Sequence, residues 1–173
     1  MARPTEPTEL TEEGTNEMTD NPLSVAEQDT FTVRRTIRIA AAVEKVWIAV
    51  TEPEHISRWF GRTVLVGDGV GAHGTVAWPD EPAIPIRVEE VDPPRTISYR
   101  WCNDEAAEAV PSEVDPAHST VFTFTLEPVP GGTQLTVVET GFETTVDPAG
   151  NLESHRLGWD ELLDQLVVAM EVL

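Results

Sequence analysis

The carboxy-terminal residues 151–173 constrain the fold of this chain more than any other part of its sequence. Apolar side chains recur there at steps of seven, four, three, four and three residues, which is the spacing of one continuous stripe on a helix. The stripe consists of Leu152, Trp159, Leu163, Leu166, Met170 and Leu173, and the acidic residues of the segment lie mostly off it. This pattern predicts one long amphipathic helix at the end of the chain.

Extended segments bounded by turn residues precede that helix. Residues 31–39 alternate apolar and polar side chains, as a strand with one buried face does, although Arg35 falls on the apolar side. Residues 41–50 have helical spacing, and Pro53 suits the first turn of a second short helix. The further extended segments are 63–66, 74–78, 84–91, 95–101, 119–127 and 133–142. This order predicts an α+β domain with a curved antiparallel sheet of about six or seven strands.

The charge of the chain excludes several classes of partner. Its formal net charge is −20, with 31 acidic residues against 11 lysines and arginines, so phosphate backbones and anionic lipids repel it. We therefore expect neither nucleic acid nor a membrane as a partner. The single cysteine, Cys102, excludes an intramolecular disulfide, and the sequence contains no signal-peptide pattern, which favours the cytoplasm.

The amino-terminal residues 1–29 have the composition of a disordered segment. They contain eight acidic residues against one arginine and hardly any large apolar side chains, too few to offset the entropy lost on ordering. We expect residues 1–29 to form a disordered acidic tail and residues 30–173 to form one domain.

Two segments resemble a known family: VRRTIRIAAAVEKVWIAVTEPEHISRWF, residues 33–60, and HRLGWDELLDQL, residues 155–166. They are similar to the SRPBCC or START-like superfamily, and within it to the group related to the activator of the heat-shock-protein-90 ATPase. Trp59 matches the tryptophan that follows the second helix of that group, and Gly158 and Trp159 match its Gly-Trp pair. The resemblance covers about residues 31–173 and implies a helix-grip (START/Bet v 1-like) fold, in which the sheet wraps around the long last helix.

Members of such a fold commonly keep an apolar cavity between the sheet and the helix, where a small molecule can bind. We expect that cavity to be lined by Trp59, Phe60, Trp78, Tyr99, Trp101, Phe122, Phe124, Trp159, Leu163 and Met170, with Arg100 and Glu139 as inward polar groups. Gly158 costs a helix about 1 kcal/mol relative to alanine, so we expect the backbone there to approach another group closely. The alternative is a tightly packed core in which the same aromatic residues act as ordinary anchors.

Motifs for metal, phosphate or nucleophilic chemistry are missing from the sequence. The four histidines fall in separate segments, and no GxSxG, GxxxxGK[ST] or HExxH pattern occurs. We therefore predict no metal, no cofactor and no catalytic residue. His155 precedes Trp159 by one helical turn, where it can edge the cavity.

The sequence supports a binding module for a small apolar molecule best. One alternative is an enzyme related to polyketide cyclases or dehydratases, acting through Arg100, Glu139, Tyr99 or His55. Another is a chaperone-linked interaction protein, but the related activators carry a separate amino-terminal chaperone-binding domain that residues 1–29 are too short to form. An exposed edge strand would also allow a homodimer.

Overall fold

The structure is a computed structural model that describes residues 20–172. Eight strands form one antiparallel sheet: β1 (Val25–Glu27), β2 (Thr32–Ile39), β3 (Arg62–Val66), β4 (His73–Ala77), β5 (Ile84–Asp92), β6 (Thr96–Trp101), β7 (Thr120–Val129) and β8 (Gly132–Thr140). The helices are α1 (Val43–Thr51), α2 (Pro53–Ile56) and α3 (Pro148–Val172), and a short 3-10 helix spans Phe142–Thr144. The order across the sheet is β1-β2-β8-β7-β6-β5-β4-β3.

This architecture confirms the predicted helix-grip fold. Two short helices follow β2, six further strands run up and down, and α3 packs along the sheet, with most of its strand contacts to β2 and β1. The strand count exceeds the prediction by at least one. The helix α3 begins at Pro148, three residues before the predicted start, because proline is well suited to the first turn of a helix.

The alternation of buried and exposed side chains along the strands shows which face of the sheet forms the core. In β2, Val33, Ile37 and Ile39 are buried, whereas Arg34 and Arg38 on the opposite face are exposed. The alternating side chains of β7 and β8 continue this inner surface, with Phe122, Phe124, Leu126, Leu135 and Val137 all buried. None of the helices within residues 20–172 has the length and apolar character that crossing a bilayer requires.

The predicted disordered tail is wrong for residues 20–29, and its residues 1–19 lie outside the described part of the chain. Residues 25–27 form β1, which pairs with β2. The backbone N–H of Ser24 donates to Asp160 (2.7 Å), and the Ser24 hydroxyl donates to the carbonyl of Arg156 (2.7 Å). Asn21 exchanges hydrogen bonds with the backbone of Arg38. Polar contacts hold this segment, so its lack of large apolar side chains did not reveal that it folds.

Candidate functional site

Aromatic rings fill the deepest part of the interior. Phe122 lies at the centre, with ring centroids 5.3 Å from Tyr99, 5.6 Å from Phe124 and 5.9 Å from Phe60. Trp59 packs against Phe60 at 5.2 Å. The void that these five residues help to line measures about 10 Å³, which is at the lower limit for a single water molecule. This part of the predicted cavity is therefore packed core.

A larger space opens next to that core, between α3 and the ends of β4, β5 and β6. It measures about 230 Å³, and three tryptophans line it: Trp78 after β4, Trp101 at the end of β6 and Trp159 on α3. We call this space the tryptophan cleft. Trp78 and Trp101 meet edge to face with centroids 6.3 Å apart, and Trp101 and Trp159 are 6.4 Å apart. The cleft offers a small binding surface in which the three tryptophans lie among polar and charged residues.

A buried carboxylate lies behind two of these tryptophans. Glu139 of β8 is fully buried and accepts the indole N–H of Trp101 (2.9 Å) and of Trp159 (2.8 Å). It also accepts hydrogen bonds from the hydroxyl of Thr120 (2.6 Å) and from Nδ1 of His155 (3.0 Å). Four donors from β6, β7 and α3 converge on one side chain. Glu139 therefore fixes the orientation of two walls of the cleft from inside the protein.

His155 completes the charge balance of this cluster. Its Nδ1 lies 3.0 Å from Glu139, and its Nε2 lies 2.9 Å from the backbone carbonyl of Asn103. Both partners are acceptors, so both ring nitrogens must carry hydrogen and the imidazole is positively charged. Phe142 and Trp101 contact the ring edge to face, at 5.0 and 5.8 Å. His155 is thus a buried imidazolium whose two nitrogens are already engaged.

The pKa values of the pair move in the directions that an ion pair requires. Burial alone would raise the pKa of Glu139, but the charge of His155 and the hydrogen bonds from His155, Thr120 and Trp101 hold it below its usual value. Burial alone would lower the pKa of His155, but the charge and hydrogen bond of Glu139, helped by Asn103, raise it. Both directions agree with the charged forms that the hydrogen bonds require.

The rim of the cleft is acidic. Glu81, Glu105 and Glu161 line it, and none of these carboxylates forms an ion pair within residues 20–172. No lysine or arginine lines the cleft in the described part of the chain, and His155 is committed to Glu139. The electrostatic potential at the cleft is therefore negative.

Gly158 has a different role from the one its sequence context indicates. We expected a close approach of another group, but a Cβ atom built on Gly158 would meet nothing within 4 Å outside its own helix. The open space beside it is the tryptophan cleft, which Gly158 itself lines. The residue leaves room for the cleft, and a larger side chain at this position would enter it.

The other predicted site residues divide between the core and the outer face of the sheet. Leu163 and Met170 are buried on α3 but do not line the cleft. Arg100 lies on the outer face of β6, where it hydrogen-bonds to Glu89 (3.2 Å) and to the hydroxyl of Ser119 (2.9 Å). His55, the remaining candidate base, lies in α2, away from the cleft. Because Arg100 lies on the outer face of the sheet and Glu139 lies in the interior, the two side chains cannot contact the same bound molecule.

Sequence reasoning identified Glu139 and His155 separately but missed their pairing and the other groups around them. Thr120 and the carbonyl of Asn103 carry no sequence signal of their own. The one available signal was the register, because Glu139 lies directly opposite Phe122 on the inner face of the sheet. Among residues 20–172, no group of three or more His, Cys, Asp or Glu side chains is placed to hold a metal ion.

Comparison with solved structures finds the same fold in several bacterial proteins. Protein MLL2253 from Mesorhizobium loti is 28% identical with a TM-score of 0.66, and the match covers 81% of this chain and 96% of that one. CalU16 from Micromonospora echinospora is 21% identical with a TM-score of 0.60, covering 80% and 75%. The Aha1 dimer from Colwellia psychrerythraea is 18% identical with a TM-score of 0.62, covering 82% and 96%.

No curated protein matches the sequence. A family model does, and its description is "Activator of Hsp90 ATPase homolog 1-like protein". The match extends over residues 40–171, which is most of the chain. It includes α1, α2, all of α3 except its last residue, and the whole tryptophan cleft. The chain therefore belongs to the family of Activator of Hsp90 ATPase homolog 1-like proteins.

Proposed function

We propose that this protein binds a small, largely apolar molecule in the tryptophan cleft. The observation that carries the proposal is that Trp101 and Trp159, two walls of the cleft, both donate their indole N–H to the buried Glu139. Side chains fixed in this way lose little conformational entropy when a ligand arrives, so more of the contact energy appears as affinity. The support is a preorganised aromatic surface beside open space.

The volume of the cleft limits the size of the ligand. An apolar cavity of about 150 Å³ is large enough for benzene, so 230 Å³ suits a molecule of one or two rings. Typical pockets for drug-sized ligands start at about 300 Å³. We therefore expect a ligand smaller than a lipid or a polycyclic polyketide.

The acidic rim limits the charge of the ligand. The carboxylates of Glu81, Glu105 and Glu161 repel an anion, and no arginine or lysine in the described residues lines the cleft to neutralise it. A cation gains from the attraction of these carboxylates. We expect neutral and cationic aromatic molecules to bind more tightly than anionic ones of the same shape.

Calorimetric titration with three naphthalene probes tests this proposal. We expect 2-naphthylmethylamine and 2-naphthol to bind, and 2-naphthoate to bind at least about tenfold more weakly. Native mass spectrometry of gently purified protein, compared with its denatured mass, would reveal a ligand carried from the cell.

A blocked variant ties binding to the cleft. Gly158→Leu adds a side chain where a Cβ meets open space, so we expect at least a tenfold loss of probe affinity. It should not lower the free energy of unfolding, because leucine is favoured over glycine in a helix. Gln165→Leu adds a leucine at an exposed position of the same helix and serves as the matched control. Equal probe affinities of Gly158→Leu and Gln165→Leu, or an absence of binding to the unmodified protein, would refute the proposal.

We further infer that the chain associates with a second copy of itself. The related Aha1 protein from Colwellia psychrerythraea forms a dimer. An edge strand with free backbone groups, which β3 provides, offers a route to such an assembly.

A further inference from the structure

We propose that two copies of the chain pair through β3, antiparallel, about a twofold axis at Leu65. This inference rests on the self-association proposed above and assigns it a surface. β3 is the outermost strand at one end of the sheet, and within residues 20–172 only β4 pairs with it. Its other edge therefore presents backbone N–H and C=O groups to which a further strand can bond.

The surface of this edge is unusually apolar. Eight large hydrophobic side chains are exposed in the described chain. Three of them fall in one stretch of seven residues, which comprises the end of β3 and the turn after it. These are Val64, Val66 and Val70, with exposed fractions of 49%, 63% and 66%. At the opposite edge of the sheet, β1 has only three residues. The exposed apolar area thus favours β3 as the edge that pairs.

The order of side chains along β3 is self-complementary. Val64 and Val66 lie on the same face as Arg62, because alternate residues of a strand share a face. Antiparallel pairing centred on Leu65 places Val64 opposite Val66 of the partner subunit, and Val66 opposite Val64 of the partner subunit. Directly opposed side chains in such a pair lie about 5 Å apart, so four exposed valines would cover one another.

The charges at the two ends of this stripe match in the same register. Arg62 begins β3, and Asp68 follows its end in the turn opened by Gly67. Pairing about Leu65 brings Arg62 level with Asp68 of the partner subunit, within reach of its long side chain. Neither Arg62 nor Asp68 forms an ion pair with any residue of the described chain. The twofold axis would therefore create two ion pairs between copies that otherwise repel each other.

The short edge predicts a weak dimer. A stable interface buries at least about 1,200 Å², which one strand of five residues does not supply alone. The net charge of −20 on each copy also opposes association, and salt screens that repulsion. We expect a dissociation constant in the micromolar range that falls as ionic strength rises.

Charge exchange between the two ends of β3 tests the pairing. Sedimentation velocity over a range of concentrations would be run on the full chain and on Arg62→Asp, Asp68→Arg and the double variant. In each single variant, positions 62 and 68 carry charges of the same sign, and these repel each other at both ends of the paired strands. We therefore expect at least a tenfold rise in the dissociation constant. The double variant restores both pairs and should dimerise like the unmodified chain.

Mixing the two single variants gives the sharpest result. Arg62→Asp opposite Asp68→Arg forms two attractive pairs, so the mixture should form heterodimers while each variant alone stays monomeric. Arg34→Asp, which changes an exposed arginine of β2, is the matched control and should leave the dimer unchanged. A dimer insensitive to the β3 variants would overturn this surface but keep self-association. A monomer at every concentration and salt level would overturn both.

Discussion

Glu139 of β8 and His155 of α3 lie 3.0 Å apart in the interior, with side chains 0% and 3% exposed. Each ion is costly to bury alone, and each makes the burial of the other tolerable. Because one ion belongs to the sheet and the other to the long helix, the pair links the two layers by charge as well as by packing. The same carboxylate holds two walls of the tryptophan cleft, so stability and binding depend on one side chain.

Glu139→Gln should destabilise the protein strongly, because it leaves a buried imidazolium without its counter-ion. We expect a loss of about 3–5 kcal/mol in the free energy of unfolding, measured by urea denaturation. Glu153→Gln breaks an ion pair with Arg156 at the surface of α3 and is the matched control. Its effect should be small, since exposed pairs contribute little. A comparable small loss for Glu139→Gln would contradict the role assigned to the pair.

The Glu139–His155 pair should also give stability a bell-shaped dependence on pH. The raised pKa of His155 adds stability that is complete below its ordinary value of about 6.5 and is lost as pH rises through the folded-state value. The lowered pKa of Glu139 adds stability that is complete above about 4.5 and is lost as pH falls. The contribution is therefore largest between about pH 4.5 and 6.5.

The stability that the Glu139–His155 pair contributes in this pH range can be separated from the effect of repulsion among the many other carboxylates. Urea denaturation of the unmodified protein and of His155→Gln would be compared from pH 4 to pH 9, so that charges common to both cancel. Glu105 also faces His155 and favours its charged form, and it is present in both proteins. The difference in unfolding free energy should narrow above pH 6.5. A difference independent of pH would mean that His155 is not an ion in the folded state.

Arg35→Lys should loosen the amino-terminal segment even though it keeps the charge. Arg35 is 1% exposed and donates to the carbonyl of Pro22 (2.8 Å), the carbonyl of Asp160 (2.9 Å) and the carboxylate of Asp164 (2.9 Å). A lysine ammonium does not match this planar fork. Each buried acceptor left without a donor costs about 1–3 kcal/mol.

Hydrogen exchange of the backbone amides in residues 23–27 measures this loosening directly. We expect exchange there to accelerate more than in β7 and β8 in the Arg35→Lys variant. Arg34→Lys, at the exposed neighbouring position, is the control and should leave exchange unchanged. Uniform acceleration across the protein would indicate global destabilisation without a specific anchor.

Tyr99 should resist ionisation while the protein is folded. It is the only tyrosine of the chain, and its hydroxyl donates to the carbonyl of Val50 (2.7 Å). Burial, with a smaller contribution from the charge of Glu52, raises the pKa of Tyr99 well above its usual value. The ultraviolet absorbance of tyrosinate should stay flat through about pH 10 and rise only with unfolding. In urea, the same titration should show Tyr99 ionising at the ordinary pH of a tyrosine. Ionisation at that pH in the folded protein would mean that Tyr99 lies at the surface.

The elements that the sequence predicted well are those that local periodicity determines. The predicted apolar stripe, from Leu152 as far as Met170, and the alternation of residues 31–39 each reflect one buried face, and both appear in the structure. In β6 the alternation is imperfect, because Ser98 on the outer face is buried beside Thr123 as well as the inner Ile97 and Tyr99. The orientation of Arg100 was therefore open from the sequence.

The candidate site depended on distances that local patterns do not encode. Glu139 and His155 meet only when β8 and α3 are packed in one register, and the contact to Asn103 comes from a loop. Gly158 shows the same limit of sequence-based prediction. A glycine to which another group approaches closely and a glycine beside open space look identical in a sequence. Strand phase selected Glu139, but the network around it required the assembled fold.

The anchoring of residues 21–27 has a consequence for the order in which the chain folds. Ser24 bonds to Asp160 and Arg156, which follow it by 136 and 132 positions, and Arg35 reaches the same helix. Contacts across such separations require a large loop to close first, so they form late. During synthesis, residues 21–27 leave the ribosome before α3 and must wait for it before they can attach. Residues 21–27 are thus among the last parts of the described chain to become structured.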